Sequence, residues 1–298
     1  MTGYESILIG FSLEKGHQKV LEDGLSFGKF MGTSIDVVHI AQGLPDPKDL
    51  LYYTGPELLL IDQARQEVGI IRKEFREKLH VLEQSMGIKV KVWEKEGNSA
   101  QAIVDLSQDY SLVVIGSGRE DDKVKRLLGP MEQNVVRFAQ SPVLVIREWE
   151  PEKRMKDIKR ILVPVDGSNV ANFAAAHAGL IADRVGAEVT LLHVWEKRDE
   201  RLRVKFRRDN IQSDMVKDIA GRVLEDAENT MITKTKVTKT LRDGEPSEVI
   251  VEESKNYDLV VIGTWGKQGI KKFLLGCTAE NVAQHANCAV LLVRGIPD

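Results

Sequence analysis

Cysteine is nearly absent from the 298 residues: Cys277 and Cys288 are too few for a disulfide framework. Long hydrophobic runs are missing as well. Aliphatic stretches such as Leu112-Val113-Val114-Ile115 and Leu259-Val260-Val261-Ile262 fall far short of the ~20 residues that cross a bilayer. The N-terminus, Met1-Thr2-Gly3-Tyr4-Glu5, lacks the basic-then-apolar pattern of a signal peptide. There is no basic excess: Lys and Arg total 42 against 45 Asp and Glu, a net charge of -3, which argues against a dedicated nucleic-acid binder. The six histidines show no metal-ligand spacing, with neither H-E-x-x-H nor a close cysteine pair. No G-x-S-x-G and no G-x-x-x-x-G-K-[ST] occurs, so no catalytic residue is assigned. These absences predict a soluble, cytoplasmic chain with no membrane or nucleic-acid partner and no metal site.

What is present is a sequence written twice. Ser6-Ile7-Leu8-Ile9-Gly10-Phe11-Ser12 echoes Arg160-Ile161-Leu162-Val163-Pro164-Val165-Asp166 at an offset of 154, and Val38-His39-Ile40 matches Leu192-His193-Val194 at the same offset. From Tyr110–Gly116 and Tyr257–Gly263 onward the offset is 147, so the first copy carries seven extra residues in its middle. Leu127-Leu128-Gly129 and Leu274-Leu275-Gly276 keep that offset, as do Val143–Arg147 and Val290–Arg294. Five landmarks recurring in order mark an internal duplication. Two domains are expected, 1–148 and 158–298, joined by a polar linker around Trp149-Glu150-Pro151-Glu152-Lys153-Arg154.

Within each copy, short β-branched runs alternate with helical patterns. In the second, strands are expected at Arg160–Val165, Glu188–Val194, Lys234–Leu241, Leu259–Gly263 and Val290–Arg294, with helices between them. Continuous apolar strands between amphipathic helices imply a parallel sheet covered on both faces. Each copy therefore reads as a Rossmann-like, doubly wound α/β domain with a five-stranded parallel sheet. Such sheets bind ligands beyond the carboxyl ends of their strands, where strand order reverses. In the first copy, Leu58–Gln84 reads as one long helix covering the sheet through Leu58, Ile61, Val68, Ile71, Phe75, Leu79 and Leu82, with extra length that could also give a dimer or partner surface.

After the fourth strand of the second copy, Gly263, Gly266 and Gly276 are spaced G-x2-G-x9-G. Glycines at positive φ would let this backbone approach an anion closely. A helix opening near Cys277 and Thr278 offers unpaired N–H groups, and Lys267 adds a cation. Asp166, at the end of the first strand, can accept from an adenine amino group or a ribose hydroxyl.

That glycine pattern follows Val-Val-Ile-Gly and precedes a Thr-containing helix start and an apolar strand ending in Arg. With the lead strand Ile161–Ser168 and Leu191-Leu192-His193-Val194, it resembles the universal stress protein family over both copies. The resemblance implies a tandem protein of adenine-nucleotide-hydrolase-like fold, with a nucleotide pocket of the kind found in some members and lacking in others. Carried over by position, Asp166 and Val194 would contact base or ribose, and Gly263, Gly266 and Gly276 would line the phosphates. Lys267, Cys277 and Thr278 complete the candidate set. The implied ligand is ATP or AMP, with or without Mg²⁺, and the implied role is regulatory or protective in stress survival. A nucleotide-independent tandem interaction scaffold and a slow ATP hydrolase are the alternatives. Partners could include a second copy as a homodimer, the sister domain of the same chain, or an unnamed protein.

Departures from the family pattern divide the copies. Cys277 and Ala279 stand where nucleotide-binding members usually carry hydroxyls, with Thr278 between them. The first copy has Ser12 in place of the aspartate, Arg119 in place of the second glycine, carboxylates at Glu120, Asp121 and Asp122, and Pro130 after Gly129. Proline removes a helix-start donor, and clustered carboxylates repel a triphosphate. Plainer readings stand beside these. The glycines could be turn formers only, Asp166 with Ser168 could simply cap a helix, and His39 and His193 read as core histidines. Cys277 could be a thiol activated at a helix start or a small replacement for serine. The stretch Lys197–Arg208, basic with interspersed acids, could overhang the pocket, contact an acidic partner, or form a solvated face. A fragment of residues 1–148 is expected to retain no adenine nucleotide, which chromatography of the small molecules released from it would check.

Overall fold

The computed structural model describes residues 3–11, 18–41, 47–117, 127–147, 152–196, 209–264 and 275–295, without the side chains of 41, 47–49 and 209–214. The chain divides into two compact units, Met1–Val143 and Leu144–Asp298.

The first unit runs β1 (Ser6–Phe11), α1 (Gln18–Met31), β2 (Ser34–Ala41), a 3-10 turn (Pro47–Tyr52), α2 (Gly55–Met86), β3 (Val90–Glu96), α3 (Ser99–Ser107), β4 (Leu112–Ser117) and α4 (Pro130–Phe138). Its strands are parallel and ordered β3-β2-β1-β4, with Ile7 in register with Ile35 on one side and Leu112 on the other. Every residue of β4 is buried, as a parallel strand covered on both faces requires. Helix α1 approaches this sheet closely because Gly24 faces Ile9 and Val114, where a Cβ would fall 2.9 Å from Ile9 Cδ1.

Helix α2 departs from its expected role as a full-length cover. Of its apolar residues only Phe75 and Leu79 are buried, while Leu58 and Ile71 are exposed. Geometry explains this: 32 residues of helix extend about 48 Å, whereas the seven residues of β3 span only about 23 Å. The covering part is fixed by the stack of Phe75 on Phe11, centroids 4.9 Å apart, and by Arg76, which donates to Glu94 Oε1 at 2.7 Å. Arg65 adds an ion pair to Glu96 at 3.5 Å.

The second unit opens with Leu144–Arg147, the remainder of β5 (Val143–Arg147), and continues through β6 (Arg160–Pro164), α5 (Asn169–Val185), β7 (Glu188–Trp195) and α6 (Asp209–Thr230). It closes with β8 (Val237–Asp243), α7 (Pro246–Glu253), β9 (Leu259–Gly263), α8 (Cys277–His285) and β10 (Ala289–Val293). The strand order is β5-β10-β9-β6-β7-β8, with β6 parallel to both β7 and β9. The chain therefore winds outward from β6 to β8, then returns to β9 and β10 on the other side, which creates a switch point between β6 and β9. Strand β8 begins at Val237, later than expected, because Asp183 Oδ1 accepts from Thr233 Oγ1 at 2.8 Å and from the Lys234 amide at 2.9 Å and holds that stretch in a turn.

Small residues let α5 lie close to the sheet: Ala171, Ala174, Ala175, Ala178 and Ala182 are all buried on it. Gly186 ends the helix in the left-handed region, φ 71°, a conformation that costs most side chains stability. Two cations serve as backbone caps, Arg147 buried and Lys153 half-buried. Arg147 donates to the carbonyls of Ala283 at 2.6 Å, Cys288 at 3.2 Å and Val282 at 3.3 Å, and burial pushes its pKa down to about 10. It remains charged at neutral pH, facing the negative end of α8. Lys153 donates to the carbonyls of Lys255, Tyr257 and Asn287 at 3.1, 3.0 and 3.0 Å, and nearby Met155 and Ile158 are buried.

His177 lies edge-on to Phe173, ring centroids 4.7 Å apart, and burial lowers its pKa to about 4. The folded pKa is thus below the unfolded value near 6.5, so the unfolded chain takes up the proton first. Stability is expected to hold above pH 6.5 and to fall as pH drops toward 4, by at most about 3 kcal/mol from this group. Urea unfolding of the protein and of His177→Phe across that window would check it, the variant losing this part of the acid sensitivity.

Candidate functional site at the strand ends of the second unit

The candidate residues converge because β9, β6 and β7 are adjacent and parallel, so their carboxyl ends share one rim. Beyond β6, the Val165 amide donates to Leu192 O at 2.8 Å. Asp166 follows, half-buried, with Oδ1 accepting from the Ser168 amide at 2.9 Å. Gly167 between them has φ 79°, and Ser168 Oγ then caps α5 by accepting from the Ala171 amide at 3.2 Å. Capping therefore belongs to Ser168, and Asp166 tightens the turn that presents it.

His193 donates from Nδ1 to Val165 O at 2.7 Å, which ties the end of β7 to the end of β6. Its counterpart His39 makes the same contact with Phe11 O at 3.4 Å, and burial lowers the His39 pKa. Both are core histidines with a satisfied nitrogen. Val194, half-buried, comes next on the rim, in register with Arg242 of β8.

Across the switch point, β9 ends at Gly263. A Cβ there would lie 2.9 Å from Val170 Cγ1 and 3.1 Å from both the carbonyl carbon and oxygen of Val170. The Thr264 amide donates to Val293 O at 2.9 Å, and Thr264 O accepts from the Gly276 amide at 2.8 Å, which closes the neck of the loop. Gly276 is the N-cap of α8 with φ -68°, with no side-chain cap hydrogen bond among the described residues. Cys277 is exposed, Thr278 half-buried and Ala279 buried. The left-handed glycine backbone expected in this loop is not found at Gly263 or Gly276. Both serve close approach instead, to Val170 and to Thr264 O, and positive φ occurs at Gly167. Gly266 and Lys267 lie outside the described residues, as do Ser12, Arg119 to Asp122 and the basic stretch 197–208.

Thr264 was not among the candidates. It is wholly buried, and its Oγ1 has no hydrogen-bond partner among the described residues. The only sequence signal is its place directly after the strand-ending glycine, which does not distinguish a packed threonine from a ligand-facing one. In the first unit, the equivalent helix α4 starts at Pro130 after Gly129, again with no side-chain cap hydrogen bond. There a Cβ on Gly129 would fall 2.5 Å from Glu132 Oε2, so that carboxylate lies over the helix start. Among the described residues no group of three His, Cys, Asp or Glu could hold a metal ion. Of the two thiols, Cys288 is buried, which pushes its pKa up to about 12 and leaves it unreactive.

The profile of the universal stress protein family matches residues 3–147 and again 157–294. The chain belongs to the universal stress protein family. A curated universal stress protein of Mycobacterium tuberculosis is 26% identical over 262 residues, covering 83% of this chain and 86% of its own. The crystal structure of a universal stress protein from Archaeoglobus fulgidus aligns with 97% of this chain and 98% of its own at a TM-score of 0.68 and 21% identity, a likeness of fold. A universal stress protein solved in complex with cAMP aligns with 46% of this chain and 97% of its own, TM-score 0.35, at 23% identity, too distant to assign a ligand here.

In this universal stress protein the two loop glycines differ in tolerance. Gly263→Ala meets backbone at 3.1 Å and is expected to cost about 1–3 kcal/mol. Gly276→Ala, which meets only Thr264 O at 3.2 Å, is expected to cost less. Urea midpoints of the two variants would check the order.

Proposed function

We propose that the second unit binds an adenine nucleotide, ATP or AMP, and that its occupancy regulates contact with a protein partner. The observation that carries this reading is the buried Thr264 hydroxyl, without a partner among the described residues, at the loop neck beside the start of α8. A buried polar group left unsatisfied costs about 1–3 kcal/mol, which a ligand acceptor or donor would offset. The first amides of α8, at Cys277, Thr278 and Ala279, have no intrahelical acceptor, and the helix dipole favours an anion there. Phosphates suit that position, and the sequence puts a cation, Lys267, in the loop that precedes it. Asp166 and Val194, on the opposite lip of the rim, would take the ribose hydroxyl or adenine amino group and one face of the base. Any Mg²⁺ would arrive on the phosphates, with water completing its shell.

The same logic leaves the first unit without phosphate. Pro130 has removed one donor, and the Glu132 carboxylate stands over Gly129 where an anion would sit. Its counterpart at the repeat offset is the neutral Ala279.

Calorimetric titration of the full chain with ATP and AMP tests the proposal. Asp166→Ala and Gly276→Val are expected to weaken binding at least about tenfold. Thr264→Val is expected to leave the ligand-free protein as stable or slightly more so, while losing affinity. Absence of uptake would leave a nucleotide-independent scaffold, and uptake unchanged by all three variants would overturn this placement of the nucleotide.

A further inference from the structure

The first turn of α8 carries a thiol. Cys277 is its first residue, directly after the N-cap Gly276, and it is exposed. The chain's other cysteine, Cys288, is buried. A dissolved reagent that reacts with thiols can therefore reach one position only. At the repeat offset the first copy has Pro130, so it offers no thiol there.

An exposed cysteine at a helix start is not in itself a site. The Thr264 hydroxyl, wholly buried and without a hydrogen-bond partner among the described residues, points independently to a ligand beside it. Its direction follows from the topology. The strand order runs outward from β6 to β7 but the opposite way from β9 to β10. Right-handed crossovers then put α5 on one face of the sheet and α8 on the other. Gly263 turns toward α5, since a Cβ on it would lie 2.9 Å from Val170 Cγ1. The Thr264 amide, donating to Val293 O at 2.9 Å, carries the ladder one residue further, and successive side chains alternate between faces. Thr264 is thus aimed to the face of α8. Its carbonyl accepts from the Gly276 amide at 2.8 Å, so its hydroxyl and the Cys277 thiol flank the same N-cap.

We infer that Cys277 is a modification site that gates the anion position: a low-molecular-weight disulfide converts it to a mixed disulfide, and the adduct excludes phosphate. This rests on the nucleotide reading above. The Cys277 thiolate, its proton given to water, attacks one sulfur of the reagent. A new S–S bond forms as the reagent's own breaks, and the leaving half departs as a thiolate that takes up a proton. Cys277 is oxidised and the leaving half reduced in the same step, so no further oxidant enters. With glutathione disulfide the adduct is a tripeptide of net negative charge. It stands before the first amides of α8, where its bulk and its charge both oppose a phosphate. A free thiol in excess reverses the exchange.

Calorimetric titration of the full chain with ATP, before and after treatment with glutathione disulfide, tests this, with peptide mass mapping to locate the adduct. The expected result is an adduct at Cys277 alone, with affinity for ATP lowered about tenfold or more and restored by dithiothreitol. Cys277→Ser, whatever its own affinity, is expected to titrate identically before and after treatment. Circular dichroism and the melting temperature of the modified chain monitor its fold. No adduct at Cys277, an adduct that leaves ATP uptake unchanged, or one that acts by unfolding the chain overturns this inference alone. A reduced chain that takes up no ATP overturns the nucleotide reading and this inference with it.

Discussion

Burial of the central strands on both faces is the constraint that orders this protein. Strands such as β9 and β4 have no solvent side, so polar chemistry cannot be placed along them. It collects where the strands end, and the ends are fixed by backbone bonds: Val165 to Leu192, Thr264 to Val293, Gly276 to Thr264. The same constraint draws the helices in close. Val170 presses on Gly263 and also on Gly295, so the first turn of α5 and the last residue of β9 cannot move apart without losing packing. The rim that holds Asp166, Val194 and the loop neck is therefore a consequence of the core rather than an addition to it.

Much of this architecture was legible in the sequence because parallel strands announce themselves. Val-Val-Ile-Gly written at two places a constant distance apart permits few readings, and it located β4 and β9 and the loops after them. His39 and His193 were readable as core residues because each stands between two aliphatic residues of a strand. The failures have equally local causes. A helical pattern shows which face of α2 is apolar but not where the sheet beneath it ends, and the covering residues turned out to be Phe75 and Leu79 alone. Glycine in a loop reads as a request for positive φ. At Gly263 the demand is for space against Val170 instead, and nothing in the sequence places Val170 nearby. Thr264 was passed over because a hydroxyl's lack of a partner is a property of its surroundings.

The two copies show how little change separates an open helix start from a filled one. In the first, α4 begins Gly-Pro-Met-Glu; in the second, α8 begins Gly-Cys-Thr-Ala. Both begin at an N-cap glycine in extended backbone, φ -69° and -68°, and neither receives a side-chain cap hydrogen bond. What differs is that Glu132 can bend back over its own helix start and Ala279 cannot. A carboxylate three residues into a helix is favourable at that end of the dipole. The first copy thus places its own carboxylate over the helix start, where the second has a neutral alanine.

Lys153 has a mechanical meaning. Its ammonium grips carbonyls of Lys255, Tyr257 and Asn287, which immediately precede β9 and β10. A load on the segment between β5 and β6 is therefore not borne at Arg160 alone, where β6 begins. It is shared with the starts of β9 and β10, at the end of the sheet remote from the rim.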